Sequence, residues 1–281
     1  MSATGRAPRG FVYAATGDVY TTLARRSARR LKAIHPTIPV DLFTDAPLDD
    51  PVFDRVHRLS KSTRRPKMEA LGRSRFDATI LLDADTIAVT RIAELFHMTR
   101  RYPLSASFAT GRPNHLHGWQ RDIPLWFPVF NAGVLVARRG HTVRRLARQW
   151  DAMMQAEGLA HDQPALRRLC WDLRVDVGMI PVEYNVIHRR MLDIWAPDMG
   201  APRLLHLRAL HDKPPGDPFQ PLDYHDELPA PICRRIDRAL RREARVRREA
   251  EPMTWTRTSR LGRVVRVLGQ RSGLLAPRLQ S

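Results

Sequence analysis

The sequence predicts an α/β protein with a mixed, mostly parallel central sheet that is flanked by helices. The first reason is a strand–helix–strand order near the start of the chain, which is typical of parallel sheets. Residues 11–15 (FVYAA) and 40–44 (VDLFT) are apolar runs, and residues 23–34 between them carry apolar side chains at helical spacing. The second reason is a buried-strand pattern at residues 78–82 (ATILL), which leads directly into two aspartates.

Other segments show the same two periodicities. Pro36 and Pro39 end the first helix, because proline lacks the N–H that a helix interior needs. Residues 112–126 are rich in Pro, His and Trp, which indicates an irregular surface loop. The remaining predicted elements are helices at residues 67–71, 92–96, 143–154 and 163–169 and strands at residues 131–136 and 204–207.

The composition indicates a folded, globular protein. The chain has 281 residues, of which 43% are hydrophobic, enough for one large α/β domain or two small ones. Cys170 and Cys233 match no metal-ligand spacing, so we expect free thiols in a reducing compartment. We recognise neither a secretory signal nor an apolar run of the roughly 20 residues that span a bilayer. We therefore expect a cytoplasmic protein without a transmembrane helix.

The net charge of +18 comes almost wholly from arginine, since only four of the 47 basic residues are lysine. Such a surface attracts polyanions, whether nucleic acid, anionic lipid or phosphorylated substrates. The charge alone does not choose among them.

The composition changes near residue 231, which divides the chain into a globular domain, residues 1–230, and a basic extension, residues 231–281. No acidic residue follows Pro252. An apolar stripe lies among the arginines of this extension, at Leu261, Val264, Val265 and Leu268. We expect the extension to hold the protein on an anionic membrane surface, at the inner face of the membrane. The alternative, a helix docked on the domain or a disordered tail, has equal weight.

The aspartates that end the buried strand are Asp83 and Asp85. On an extended segment, side chains two residues apart leave the chain on the same side, so both carboxylates can reach one hard cation. In open α/β sheets, ligands bind outside the carboxyl ends of the strands, which is where this pair lies. The structural alternative is that these are turn or helix-capping aspartates.

Five segments in sequence order resemble glycosyltransferase family 8, the retaining enzymes related to glycogenin and to bacterial lipopolysaccharide galactosyltransferases. The resemblance covers roughly residues 11–215. Residues 67–71 (KMEAL) with 76–86 (FDATILLDADT) resemble the donor-site segment of the family. The other matching segments are residues 130–135 (FNAGVL), 161–163 (HDQ) and 181–185 (PVEYN), followed by His206 at the place of the late metal-binding histidine.

The resemblance implies the GT-A architecture and a metal-dependent transfer of a sugar from a nucleotide-diphosphate sugar, with UDP favoured. It also implies retention of configuration and a glycan or lipid-linked acceptor. The metal ligands that it implies are Asp83, Asp85 and His206. The implied donor-binding residues are Tyr13, Ala14, Ala15, Thr16, Lys67, Asp83, Ala84, Asp85 and Lys213. The implied catalytic residues are Asp162, Gln163 and Asn131.

The chain departs from the closing motif of the family, His-x-x-Gly-x-x-Lys-Pro-Trp. Ala209 replaces the glycine, Lys213 comes one residue late and Pro215 replaces the tryptophan. His211 is therefore an alternative to His206 as a metal ligand.

The chemistry of sugar transfer agrees with this set of residues. Breaking the bond between a sugar and a nucleoside diphosphate leaves an anionic diphosphate, so positive charge is needed at the leaving group. An imidazole among the ligands favours Mn²⁺ over Mg²⁺, which takes mostly oxygen ligands. Lys67 and Lys213 are two of only four lysines, and a compact ammonium suits a diphosphate oxygen.

Several of these residues also have ordinary structural interpretations. Asp162 is a possible helix N-cap, and Asn131 and Asn185 are possible strand-end asparagines that satisfy loop backbone. The irregular loop contains four aromatic residues that could line an acceptor sugar site: His115, His117, Trp119 and Trp126. An ordinary folded loop is the stronger interpretation of these residues.

Two other functions agree less well with the sequence. A nucleotidyltransferase would carry a Gly-rich, basic loop after its first strand, which residues 14–18 (AATGD) do not provide. A nucleic-acid-binding protein would interleave its basic residues with exposed aromatics, whereas the densest arginine cluster has almost none. We therefore expect no nucleic-acid partner.

Overall fold

The computed structural model describes residues 7–63, 65–109, 120–196 and 199–249 and confirms the predicted α/β class. The strands are β1 (Ala7–Ala15), β2 (Val40–Thr44), β3 (Arg55–Arg58), β4 (Phe76–Leu82), β5 (Thr86–Ala88), β6 (Leu104–Phe108), β7 (Phe130–Arg138), β8 (Val177–Met179) and β9 (Leu204–His206). The α-helices are α1 (Gly17–Ile34), α2 (Lys67–Arg73), α3 (His141–Ala156), α4 (Asp162–Asp172), α5 (Arg189–Asp193), α6 (Tyr224–Glu227) and α7 (Ala230–Glu249). Short 3₁₀ helices span Ala93–Arg100, Val182–Tyr184 and Arg208–Asp212.

Seven of the described strands form one sheet in the order β3-β2-β1-β4-β7-β6-β8. All neighbouring pairs are parallel except those that β7 makes with β4 and with β6. Because β7 runs against the others, its first residues lie at the same edge as the last residues of β1 and β4. A separate antiparallel pair joins β5 to β9.

The core lies on both faces of this sheet, and alternate residues of the central strands belong to opposite faces. In β1, Phe11 and Tyr13 pack on the side of α1, whereas Val12 packs on the side of α2, α3 and α4. In β7, Val134 and Leu135 divide in the same way. Because β1, β4 and β7 are apolar on both faces, each appears in the sequence as a continuous apolar run.

The elements that sequence reasoning missed are short. The strands β3, β5, β6 and β8 have three to five residues each, too few for a period of two to stand out. The helix expected at residues 92–96 is a 3₁₀ helix, Ala93–Arg100. A pattern of five residues cannot distinguish a 3₁₀ helix from an α-helix.

The helix α7 packs on the domain through its first half. Ile232, Cys233 and Ile236 are buried in the core, and Arg234 and Arg238 are exposed on the other side. The apolar stripe beyond Pro252 lies outside the described residues, and the division at residue 230 remains a prediction.

Both cysteines are free, as expected, and both are buried. Among the described helices, none has the length and apolar character needed to cross a bilayer.

A buried carboxylate joins the outer strands of the sheet. The side chain of Asp41 in β2 accepts hydrogen bonds from Nε and Nη2 of Arg75 at 2.7 and 2.9 Å, and Nε2 of His57 lies 2.9 Å away. Burial alone would raise the pKa of Asp41, but the hydrogen bonds from His57 and Arg75 outweigh it and lower that pKa.

The substitution Asp41→Asn is expected to lower the free energy of unfolding by roughly 3 kcal/mol, because a partly buried Arg75 loses its anion. A lowered pKa in the folded state stabilises the protein above the unfolded-state value of about 4, and this stabilisation disappears as the pH falls through the folded-state pKa. Urea unfolding at pH 7 and pH 3 should therefore show a smaller loss at pH 3. Asp77→Asn, at an exposed position of β4, is the control. An equal loss of unfolding free energy at both pH values would show that the stabilisation does not come from the ionised carboxylate of Asp41.

Candidate metal centre

A tight turn follows β4 and places two aspartates together. The backbone N–H and the hydroxyl of Thr86 both donate to the carbonyl of Asp83, at 3.3 and 2.7 Å. The segment is thus a turn and not the extended segment that the sequence argument assumed. The two carboxylates converge because the turn brings them together, so the expected proximity is correct and its expected cause was wrong.

The small sheet brings a histidine to this turn. In the pairing of β5 with β9, Thr86 lies opposite His206, and the N–H of Leu207 donates to the carbonyl of Asp85 at 2.9 Å. The Nε2 atom of His206 lies 3.2 Å from Oδ1 of Asp85 and 3.8 Å from Oδ2 of Asp83. A contact between residues 121 positions apart therefore depends on a three-residue strand pair.

These three residues form a group that could hold a metal ion. One ligand atom from each of Asp83, Asp85 and His206 lies within 4.8 Å of the other two. Two carboxylates and one imidazole are a donor set that suits a divalent first-row metal such as Mn²⁺. We call this set the Asp–Asp–His group.

The alternative ligand, His211, lies on the other side of the buried aspartate. Its Nε2 is 3.3 Å from Oδ2 of Asp85, and its ring meets Tyr20 edge-on with centroids 4.9 Å apart. It thus contacts one aspartate, whereas His206 lies near both.

The protonation of the group reflects these contacts. Burial disfavours the charged form of Asp85, but the imidazoles of His206 and His211 outweigh it and lower the pKa of the carboxyl. Burial likewise disfavours a charged His206, but Asp85 and Asp83 outweigh it and raise the pKa of the imidazole. Asp85 is therefore ionised at neutral pH, as a carboxylate metal ligand must be.

The ammonium group of Lys67 is buried beside the Asp–Asp–His group. It lies 2.8 Å from Oδ1 of Asp83, 3.1 Å from Oδ2 of Asp162, and 3.2 Å from the carbonyl of Ala132. The contact with Asp162 lacks hydrogen-bond geometry, so it is electrostatic. Burial alone would lower the pKa of Lys67, but the two carboxylates raise it, and Lys67 in turn helps to lower the pKa of Asp162.

Two elements present these charges. Lys67 is the first residue of α2, and Asp162 is the first residue of α4, with His161 at the N-cap position. Asp162 therefore pairs with Lys67 instead of serving as the N-cap. Gln163 follows it in the first turn of α4 and is partly buried.

Two asparagines and a serine lie behind His206. The side-chain Nδ2 of Asn185 donates to Oγ of Ser107 at 2.6 Å and to Oδ1 of Asn131 at 2.8 Å, and its Oδ1 lies 3.2 Å from Nδ1 of His206. Oδ1 of Asn131 also accepts from the backbone N–H of Gly133 at 2.9 Å. Asn131, Asn185 and Ser107 are all buried, so the network is shielded from water.

The predicted residues at the end of β1 lie at the same edge of the sheet. The side chain of Tyr13 is buried against α1, where its hydroxyl meets Oγ of Ser27 at 2.9 Å, so it does not face a ligand. Ala14 is partly buried and Ala15 is buried. Oγ1 of Thr16 donates to the carbonyl of Thr63 at 2.9 Å. Any contact of this strand end with a ligand would come mainly from its backbone.

The other predicted residues are less closely grouped. Ala84 is buried within the turn. Lys213 is exposed and forms an ion pair with Glu227. Trp126 is also exposed and meets Trp171 edge-on. The loop residues His115, His117 and Trp119 lie outside the described residues.

Sequence reasoning did not assign three residues of this network. Asn185 ends the segment PVEYN, and no local pattern indicates that this segment lies beside the histidine. Ser107 belongs to β6, whose sequence Leu-Ser-Ala-Ser-Phe alternates apolar and polar residues over only five positions. Gly133 belongs to the segment FNAGVL, and its role depends on His206, a neighbour from a distant strand.

The fold is similar to those of solved glycosyltransferase structures. No protein family matches the sequence by its family-wide pattern, and no curated protein matches it by sequence search. Among solved structures, the fold is similar to that of the galactosyltransferase LgtC in complex with donor and acceptor sugar analogs. The identity is 15%, the TM-score is 0.53, and the match covers 71% of this chain and 87% of LgtC.

A second similar structure is the glycosyltransferase GlyE of Streptococcus pneumoniae TIGR4. It is 18% identical with a TM-score of 0.50, and the match covers 70% of this chain and 54% of GlyE. Its apo form gives 16% identity and a TM-score of 0.51. These likenesses confirm the GT-A architecture that the motifs implied.

A methyl group on Gly133 is expected to disturb the Asp–Asp–His group, because an added Cβ would lie 2.2 Å from Cε1 and 2.4 Å from Nδ1 of His206. The substitution Gly133→Ala should displace the imidazole and weaken Mn²⁺ binding about 10- to 100-fold. Electron paramagnetic resonance of free Mn²⁺ measures this. Gly140→Ala is the matched control, since the nearest atom to its Cβ is 4.0 Å away. Unchanged affinity in Gly133→Ala would show that His206 is not a ligand.

Proposed function

We propose that this protein is a metal-dependent glycosyltransferase that moves a sugar from a nucleotide-diphosphate sugar to a glycan or lipid-linked acceptor. The observation that carries the proposal is the Asp–Asp–His group at the carboxyl edge of the sheet in a GT-A fold. We favour UDP as the nucleotide and retention of configuration as the outcome. The fold comparisons do not favour the nucleotidyltransferase alternative.

In this proposal Asp83, Asp85 and His206 hold a divalent metal ion. When bound, such an ion neutralises the diphosphate on which negative charge develops. The imidazole supports Mn²⁺ over Mg²⁺, because Mg²⁺ prefers an all-oxygen set. The lowered pKa of Asp85 supports a ligand that is ready to bind at neutral pH.

Lys67 keeps the anionic side of the site in place. Its contacts with Asp83 and Asp162 restrict the rotamers of both side chains, and it helps to lower the pKa of Asp162. Asp162, Gln163 and Asn131 would then face the reacting sugar from fixed elements, where a carboxylate or an amide dipole stabilises positive charge at the anomeric carbon.

The donor would lie across the end of β1. The backbone of Ala14, Ala15 and Thr16 would contact the nucleobase end, and Lys213 would leave Glu227 to bind the diphosphate. An exposed lysine has the freedom to make this exchange, because its present ion pair is partly solvated.

The extension, residues 231–281, would attach the enzyme to the inner face of an anionic membrane from the cytoplasmic side. The exposed arginines of α7 and the arginine-flanked apolar stripe support this part of the proposal. A lipid-linked acceptor would fit such a position.

The substitutions Asp83→Asn and Asp85→Asn are expected to abolish Mn²⁺-dependent binding of UDP-sugars and the transfer reaction, since each removes a charged ligand. Lys67 keeps its contact with Asp162 in the Asp83 variant, so the fold should remain intact. Calorimetry with a UDP-sugar panel, with and without Mn²⁺, measures binding, and NMR of the product should show the α anomer. Asp77→Asn, at an exposed position of the strand that leads to the site, is the control. Unchanged donor affinity in both site variants would refute the proposal.

The membrane contribution can be tested on the full chain with the substitution of Arg260, Arg263 and Arg266 by Gln. Each arginine near an anionic leaflet contributes about 1 kcal/mol, so binding to phosphatidylserine vesicles should weaken roughly 100-fold and should also fall with salt. Liposome co-sedimentation measures this. The control removes the same charge from exposed positions of α3, by substituting Arg144, Arg145 and Arg148 by Gln. Equal loss in both variants would show that only total charge matters.

A further inference from the structure

A backbone N–H group fixes the direction of the hydrogen bonds behind His206. The backbone N–H of Gly133 points at the side chain of Asn131 and meets Oδ1 at 2.9 Å. Because a backbone N–H only donates, the side-chain atom that it meets must be an acceptor. The amide of Asn131 is therefore oriented with its oxygen towards Gly133.

The same oxygen orients the next amide. It lies 2.8 Å from Asn185, and an oxygen that only accepts requires the NH₂ group of Asn185 on that side. The second hydrogen of this NH₂ group is donated to Oγ of Ser107 at 2.6 Å. The remaining atom, Oδ1 of Asn185, must then be the one that faces His206, at 3.2 Å from Nδ1.

An amide oxygen accepts but cannot donate, so the hydrogen in this contact belongs to Nδ1 of His206. In the neutral imidazole the lone pair is then on Nε2, the atom that lies near Asp85 and Asp83. The direction of each hydrogen bond thus follows from the backbone N–H of Gly133.

We infer that Asn185 is a positioning residue that keeps the Nε2 lone pair of His206 directed at the Asp–Asp–His group. We call the chain from Gly133 through Asn131 and Asn185 to His206 the amide relay. The inference deepens the metal site of the proposed function and rests on it. Asn185 and Asn131 are 2% and 6% exposed, so water cannot readily take the place of a lost acceptor. Partners of this kind that orient a metal-bound histidine typically change affinity 10- to 100-fold when removed.

Two substitutions of Asn185 separate positioning from packing. Asn185→Asp keeps an oxygen acceptor for Nδ1 but loses the donations to Ser107 and Asn131. Asn185→Leu has a similar volume and no acceptor. Both should lower the melting temperature, but only the Leu variant removes the acceptor of the imidazole N–H. Ser105→Ala is the control, because its buried hydroxyl in β6 has no hydrogen-bond partner among the described residues.

The first measurement needs neither metal nor sugar nucleotide. In ¹H–¹⁵N spectra of the full-length, metal-free protein, the Nδ1–H of His206 should give a resonance protected from exchange with water. We expect this resonance in the unmodified protein, in Asn185→Asp and in Ser105→Ala, and its loss in Asn185→Leu.

The second measurement is Mn²⁺ affinity by electron paramagnetic resonance. Affinity should fall about 10- to 100-fold in Asn185→Leu and stay within about threefold of the unmodified protein in Asn185→Asp. An Asn185→Leu variant that keeps both the protected resonance and the Mn²⁺ affinity of the unmodified protein would overturn the inference. An equal loss of Mn²⁺ affinity in the Asp and Leu variants would also overturn it, because it would indicate an effect of packing alone. A protein that shows the protected resonance but transfers no sugar would refute the proposed function and leave the amide relay standing.

Discussion

The ammonium group of Lys67 joins four parts of the chain at one edge of the sheet. Lys67 starts α2, and its partners are Asp83 after β4, Asp162 at the start of α4, and the carbonyl of Ala132 in β7. Burying an ion costs several kcal/mol unless its partners are complete, so this cation is stable only when all of these elements are in place. The positions of the two carboxylates therefore depend on the packing of two helices against the sheet.

The reversed direction of β7 has a similar organising effect. An all-parallel sheet would bring only the carboxyl ends of its strands to this edge. Because β7 is antiparallel, its beginning lies there instead, and Asn131 pairs with Ser107 of β6 beside the aspartate turn. Gly133 then serves twice, since its N–H orients Asn131 and its lack of a side chain leaves room for the imidazole of His206.

The balance of charge explains how three carboxylates can share so small a volume. Asp85 has an imidazole near each oxygen, and Asp162 has Lys67. These contacts lower the pKa of both carboxyls despite their burial. Asp83 is the most exposed member of the Asp–Asp–His group, and the ammonium of Lys67 lies near both of its oxygens, at 2.8 and 3.0 Å. The charges of Asp85 and Asp162 are thus balanced by neighbouring cationic groups, and the side chain of Asp83 stays accessible to a cation from solvent.

Much of the architecture was determined by the sequence itself. The long apolar segments of β1, β4 and β7 and the periodic helices α1, α3 and α4 predict an α/β sheet, because burial on two faces leaves a pattern in consecutive residues. The aspartate pair and His206 were also identified correctly as neighbours, through the order of the motifs along the chain.

Only the tertiary structure decided how these residues meet. His206 reaches Asp85 through the pairing of β9 with β5, a strand of three residues that the sequence did not indicate. Asn185 reaches His206 through a single backbone bridge at Val186, which leaves no periodic signal. The orientation of each amide depends on partners from other strands, which no local pattern contains. The sequence determined which elements form and which residues carry charge, whereas the pairing of distant strands decided which atom of His206 faces the aspartates, because hydrogen-bond direction is a property of contacts in space.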